Sequence, residues 1–393
     1  MDKSRASRTI VVVVAGLLLL IGAGFVGFTL LRELRPGDPA RPVDVSQANN
    51  PAGAPKLDVA TIISGLDHPW EIAFLPDRTM LITERSNAVS KVSNGRAIAL
   101  YTPPDVAVYG EGGLMGLAID PDFAQNRYIY ACYNSSRDGI VVARLIVDSG
   151  VTAAREDKKI ITNMPMNPSG RHSGCRLAFG PDEYLWVGTG DAADESTPQD
   201  LNSLGGKVLR VTRDGEGVEG NITSGDKRVY SYGHRNTQGL AFYEASRDGS
   251  YGVSVEHGSS RDDEINELKP GNFGWQPGRG YDESVPMTDT ARFPDAVPAI
   301  WSSGEPTIAP SDADFLRGET WGSWNGRLAM GVLKGRHLRI LDITDGKLGE
   351  QIRILDGEYG RLRAVTFGPD GSLYISTDNG GDDKILKITP STN

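Results

Sequence analysis

The chain has 393 residues, 39% hydrophobic and 23% charged, with 48 Gly, 23 Pro, and 51 acidic against 41 basic side chains for a net charge of −10. Those numbers describe a turn-rich globular protein with room for a large core, and they argue against a disordered chain, a long helix and an extended basic face for nucleic acid. The two cysteines, Cys132 and Cys175, exclude a disulfide scaffold and a four-cysteine zinc site, leaving open one disulfide or two separate buried thiols.

Residues 1–9 carry Lys3, Arg5 and Arg8, and Ile10 to Leu31 then runs for 22 residues without a charge. That run is long enough to span a bilayer and longer than the apolar core of a cleavable signal, and no clear A-x-A site follows it. The expectation is one transmembrane signal anchor over 10–31, with the N-terminus inside and the remainder periplasmic or extracellular; cleavage is the alternative. Five prolines between Pro36 and Pro55 make 32–56 a stiff, exposed linker, and the folded domain is expected over 57–393.

From Leu57 onward a unit recurs in which a small or apolar pair enters a Pro-Asp turn and leaves it as a second strand. Ala73 to Asp77, Ala118 to Asp122, Ala178 to Asp182 and Thr366 to Asp370 are its clear copies. Ala241 to Tyr243 before Tyr251 is a degenerate copy, and Trp324 to Leu333 with Leu338 to Ile343 supplies a sixth. The 337 residues from Leu57 give roughly 56 per unit, above the roughly 40–50 of compact propeller repeats, so long loops are expected. Short strands, tight turns and no helical periodicity predict an all-β, six-bladed propeller of four-stranded antiparallel blades. The strand near Leu57 to Ile63 is expected to complete the blade containing Lys384 to Ile388.

Arg171 to Asp191 is the most informative stretch. Arg176 to Phe179 and Tyr184 to Thr189 read as a hairpin about Gly180-Pro181-Asp182-Glu183. His172 and Asp191 are equidistant from that turn, so an antiparallel hairpin returns both to one end, where a carboxylate orients an imidazole acting as a base. Measured from the same point of each unit, Arg235 is six residues before Ala241, Glu111 is seven before Ala118, and Arg361 and Arg363 are five and three before Thr366. Equivalent blades would gather these groups at one rim, as in a ligand pocket. Lys334, after the apolar run Gly331 to Leu333, is placed to reach the same mouth. His257 to Glu264 puts three carboxylates behind a glycine bend; oxygen coordination of calcium and a solvated acidic loop are both open readings. His68, His234 and His337 form no zinc-ligand pattern.

Six motifs in order, Gly65 to Trp70, Gly110 to Gly116, His172 to Leu177, Tyr232 to Asn236, Asp262 to Asn266 and Pro306 to Ser311, give the chain a resemblance to the soluble PQQ-dependent glucose/sorbosone (aldose sugar) dehydrogenase family over roughly residues 57–390. The resemblance implies pyrroloquinoline quinone (PQQ) and Ca²⁺ in a cleft near the propeller axis. It implies His172 as the base for the sugar C1 hydroxyl, with hydride passing to the quinone, Asp191 orienting the base, and Arg235 polarising a quinone oxygen. Glu111, Asn236, Thr307, Lys334, Arg361 and Arg363 fall on cofactor-binding positions, backbone oxygens of Gly258 and Ser259 on those that hold the cofactor's calcium, and Glu264 on a ligand of a second calcium. Three carboxylates on the quinone explain the need for local cations in an acidic protein. Glu111 stands where some members carry Gln, so its carboxylate must either turn away or titrate high. The implied reaction is aldose oxidation to the lactone, with a membrane quinone or a cytochrome as electron acceptor. A non-catalytic propeller binding carbohydrate or protein is the alternative, and a metal-dependent lactonase lacks axial carboxylates.

Overall fold

A computed structural model describes residues 41–43, 53–243 and 251–391. Six sheets follow one another along the chain and close into a six-bladed propeller, antiparallel except where Gly271–Asn272 adds to Val229–Tyr232 in parallel at the edge of the third. Three blades are made entirely of consecutive strands, for example Pro69–Phe74, Met80–Glu84, Val89–Ser93 and Arg96–Tyr101 in the first. Middle strands such as Met80–Glu84 and Leu185–Thr189 are buried at every residue, because neighbouring blades cover both their faces. Outer strands such as Ala154–Met164 alternate exposed and covered residues, as expected where one face meets water.

The recurrent Pro-Asp turn has a physical cause. Asp77, Asp182 and Asp370 each accept, through Oδ1, the backbone N–H two residues on, at 2.9, 3.2 and 3.1 Å. That side-chain bond stands in for a backbone turn and lets the apolar strand reverse within four residues. The ring is closed by pairing Leu57–Leu66 with Asp383–Pro390, Val59 opposite Ile388 and Thr61 opposite Leu386.

Several expectations need correction. Leu328–Val332 is the second strand of the fifth blade and Pro310–Phe315 the first. Trp321 and Trp324 are the buried residues of a 3-10 segment, Glu319–Trp324, between them. Within the segment read as an exposed linker, Arg41–Val43 adds a fifth strand to the closing blade, with Pro42 on the edge strand, where a missing N–H costs least. The excess length per unit lies in two excursions, one between Thr189 and Lys207 and one between Asn272 and Trp301. The predicted anchor, 10–31, lies outside the described residues, among which no helix is long and apolar enough to cross a membrane.

Cys132 and Cys175 are bonded, with Cα atoms 5.7 Å apart, so the reading as separate thiols falls away. The bridge joins a middle strand of the second blade to the inner strand of the third, across 43 residues. Replacing both by serine is expected to cost about 2–4 kcal/mol. Denaturant unfolding checks this, and reductant should lower the wild-type midpoint to that of the double variant.

Candidate active site

The hairpin forms as the sequence predicts, with Gly174–Phe179 pairing Leu185–Thr189 and Leu177 opposite Val187. His172 Nδ1 lies 2.8 Å from Asp191 Oδ1. Both residues are buried, Asp191 completely. The close return of the chain depends on Gly190, where a Cβ would stand 1.8 Å from the His172 carbonyl oxygen. His172 itself has φ of +52°, a conformation that side-chain-bearing residues rarely adopt without support. Glu111 supplies that support, since its Oε1 accepts the His172 backbone N–H and its Oε2 accepts Asn236 Nδ2 at 3.2 Å. The carboxylate that looked misplaced beside an anionic ligand is therefore turned onto the backbone of the histidine.

Glu111, His172, Arg235, Asn236, Gly258, Ser259 and Thr307 line one cleft of about 390 Å³. Asp191 lies behind His172. Lys334 joins the cleft through its ammonium, 3.2 Å from Thr307 Oγ1. Arg363 is set further back and almost fully buried, giving Nε and Nη2 to Asp378 Oδ2 at 3.0 and 2.9 Å and reaching Gln238 with Nη1. Gln238 in turn donates to Asn236, linking Arg363 to the cleft wall. Arg361 is more exposed and lies 3.5 Å from the same Asp378 oxygen. Burial works against an ionised Asp378, yet Arg363, His68 and Arg361 hold its carboxyl well below the usual range.

The acidic loop does not form one carboxylate cage. Asp263 accepts the N–H groups of Gly258, Ile308 and Ala309, Asp262 faces Ser302 and Arg261, and Glu264 accepts from Asn266 and Thr288 outside the cleft. Burial and then nearby Glu256 push the Glu264 carboxyl well above its usual value. Glu264 is thus separated from the Gly258–Ser259 bend. That bend is sterically demanding, since a Cβ on Gly258 would lie 2.1 Å from the Arg261 carbonyl oxygen. Two buried polar atoms at the cleft, His257 Nε2 and Ser259 Oγ, have no partner in the protein.

Sequence reasoning missed the third wall. Trp275 Nε1 donates to Asp191 Oδ2 at 2.8 Å, and Tyr281 Oη lies 2.7 Å from the same oxygen and 2.9 Å from His172 Nδ1. Glu283 Oε1 accepts both Nε and Nη2 of Arg235, at 3.0 and 2.6 Å. All three come from the excursion between Asn272 and Trp301, whose lack of strand periodicity gave no ruler to place them. Beneath Asp191, wholly buried Lys207 donates to the carbonyls of Thr197, Pro198 and Gly205. Burial pulls its ammonium down to about 7, against the pull of Asp200 and Asp191. Along the axis, the inner strands hold a second hollow where Arg176 donates to Glu71, lies 3.2 Å from Asp312 and stacks 4.1 Å over Trp70.

The cleft combines an oriented imidazole, a guanidinium, further cations and unpartnered buried polar atoms. It suits proton abstraction next to a bound anion. Comparison with known proteins agrees with the architecture. "Aldose sugar dehydrogenase YliI" of Escherichia coli is 32% identical over 354 residues, covering 85% of this chain and 93% of its own length. The PQQ-bound aldose sugar dehydrogenase structure from Streptomyces coelicolor shares 33% identity at a TM-score of 0.71, covering 86% of this chain and 99% of that one. The apo form of the soluble E. coli aldose sugar dehydrogenase gives 0.74 at 30% identity, covering 85% and 100%. With the Glucose / Sorbosone dehydrogenase family model matching residues 66–387, almost the whole propeller, the chain belongs to that family.

Proposed function

We propose that the protein is a PQQ-dependent dehydrogenase that oxidises an aldose at C1 to the lactone. The observation that carries this reading is the buried His172–Asp191 pair opening on the cleft beside Arg235, in a chain of this family. With Nδ1 engaged by Asp191, Nε2 is the nitrogen left to take the proton of the C1 hydroxyl. Arg235 would oppose the negative charge that grows as the carbonyl forms. It is already oriented by Glu283 and by the His257 carbonyl, which accepts its Nη1 at 3.0 Å.

The residues present fit the quinone. His257 Nε2 and Ser259 Oγ are buried polar atoms that lack partners, Lys334 is bonded to a neutral hydroxyl, and Asn236 and Thr307 line the same wall. Lys334, Arg361 and Arg363 would face its three carboxylates, with Arg363 acting from behind Gln238. Backbone oxygens of Gly258 and Ser259 would hold a calcium ion against it, and Glu264 would serve a separate calcium. When bound, the quinone supplies the two-electron oxidant, while the protein contributes position, charge and the proton acceptor.

The disulfide favours an oxidising compartment, and the uncharged run 10–31 favours a membrane tether, so the propeller is read as periplasmic or extracellular. A membrane quinone or a cytochrome is the natural acceptor class for such a placement.

Titrating the purified full chain with PQQ and calcium, then offering an aldose panel with an artificial acceptor, tests the reading. Stoichiometric quinone uptake with sugar-dependent reduction is expected. Absence of quinone uptake would leave a carbohydrate-binding propeller as the better account.

A further inference from the structure

We propose that Tyr281 is a positioning residue for His172, its hydroxyl closing a ring of hydrogen bonds that holds the imidazole with its proton on Nδ1 and its lone pair on Nε2. The inference rests on His172 as the base. Its ground is the complete set of contacts around Asp191.

Asp191 Oδ1 faces His172 Nδ1 and accepts the Ala193 N–H at 2.8 Å. Oδ2 accepts Trp275 Nε1 at 2.8 Å and has Tyr281 Oη at 2.7 Å. An ionised carboxylate offers about four acceptor positions, so all are in use and none is left for a competing donor. Having no proton of its own, Asp191 requires one from Nδ1. The tyrosine hydroxyl carries a single proton and has two neighbours, Asp191 Oδ2 and His172 Nδ1. Donation to the carboxylate is charge-assisted and wins over donation to a neutral ring nitrogen. The phenol oxygen then stands 2.9 Å from Nδ1 as a second acceptor for the same N–H. The opposite arrangement, Tyr281 donating to Nδ1, would place the ring proton on Nε2 and leave no base toward the cleft.

Tyr281 is built into that place. Its φ is +61° within a turn closed by reciprocal backbone bonds between Gly278 and Asp282, at 2.8 and 3.1 Å. Glu195, four residues beyond Asp191, accepts the N–H groups of Gly280 and Tyr281. The loop that carries the carboxylate thus also fastens the tyrosine. Burial and then the Asp191 charge raise the phenol far above its ordinary value, so it remains a neutral donor throughout the range in which the enzyme would work.

Tyr281→Phe removes only the hydroxyl. With His172 labelled at both ring nitrogens, NMR of the unloaded full chain is expected to show Nδ1 protonated in both proteins, since Asp191 remains in place, but with the variant's Nδ1–H exchanging with solvent severalfold faster because one of its two acceptors is gone. In turnover the variant is expected to lose roughly 10–100-fold in kcat, the scale of a hydrogen bond to a charged group, with KM for the sugar within about twofold. Site-specific 3-fluorotyrosine, a stronger donor in the same shape, should keep the slow wild-type exchange and thereby separate hydrogen bonding from packing. Wild-type Nδ1–H exchange or wild-type kcat in Tyr281→Phe would overturn the proposal. Failure of the underlying reading is distinguishable, because it would show as turnover surviving in His172→Ala whatever the ring spectrum of the tyrosine variant.

Discussion

Replacing His172 by alanine is expected to lower turnover by roughly 10²–10⁴-fold, the range for loss of a positioned general base, while PQQ affinity stays within a few-fold of wild type. The surroundings make this a clean deletion. Asp191 keeps Ala193 N–H, Trp275 Nε1 and Tyr281 Oη as donors, so removing the imidazole does not strand a bare buried carboxylate. Glu111 continues to accept the backbone N–H of residue 172 and so holds the local chain path. The cations assigned to the quinone are untouched. Steady-state rates with an artificial acceptor, alongside a quinone titration of the same variant, provide the measurement. Unchanged turnover would remove His172 from the chemistry, whereas joint loss of turnover and quinone binding would recast it as a cofactor ligand.

The His172–Asp191 pair was legible because a tight hairpin converts sequence symmetry into spatial proximity: Pro181 and Asp182 fix the midpoint, and two-residue alternation fixes the ends. The same ruler brought Glu111 and Arg235 to the cleft, because the entry to each inner strand faces the same rim. It failed where the chain leaves the blade. Trp275, Tyr281 and Glu283 sit on an excursion whose path is set by contacts to Glu195 and Arg235 rather than by periodicity. The run from Trp324 to Leu333 begins too early for a strand because Trp324, an apolar residue suited to one, ends a 3-10 turn instead, and the strand itself is Leu328–Val332. Pairing of Cys132 with Cys175 depends on two adjacent blades meeting side by side, which no local pattern encodes. In the acidic loop, composition suggested a metal cage, but Asp263 is consumed by three backbone N–H groups that brace the Gly258 bend.

Removing Arg363 is expected to destabilise the fold by about 3 kcal/mol, the scale for breaking a buried ion pair by deleting one partner. The side chain is 5% exposed, gives two hydrogen bonds to Asp378 Oδ2, and lies 5.7 Å over the Trp70 ring. In Arg363→Ala the carboxylate retains His68 Nδ1 at 2.6 Å and the more distant Arg361, compensation that is incomplete for a group 4% exposed. The pH dependence follows from Asp378. Its folded-state value is depressed, so the pair contributes stability above the unfolded carboxyl value of about 3.9 and loses it as pH falls toward the folded value. The difference between wild type and variant should therefore be flat at neutral pH and shrink below about pH 4, as read by denaturant titrations across that range. Arg361 is the sharper probe of the cofactor role, because its side chain is 41% exposed and its ion pair with Asp378 adds little to stability. Arg361→Ala should leave unfolding nearly unchanged yet weaken quinone binding roughly tenfold, about one charge-assisted hydrogen bond. Unaltered quinone affinity in Arg361→Ala would confine Arg361 to its contact with Asp378, leaving Lys334 and Arg235 as cations that meet the ligand.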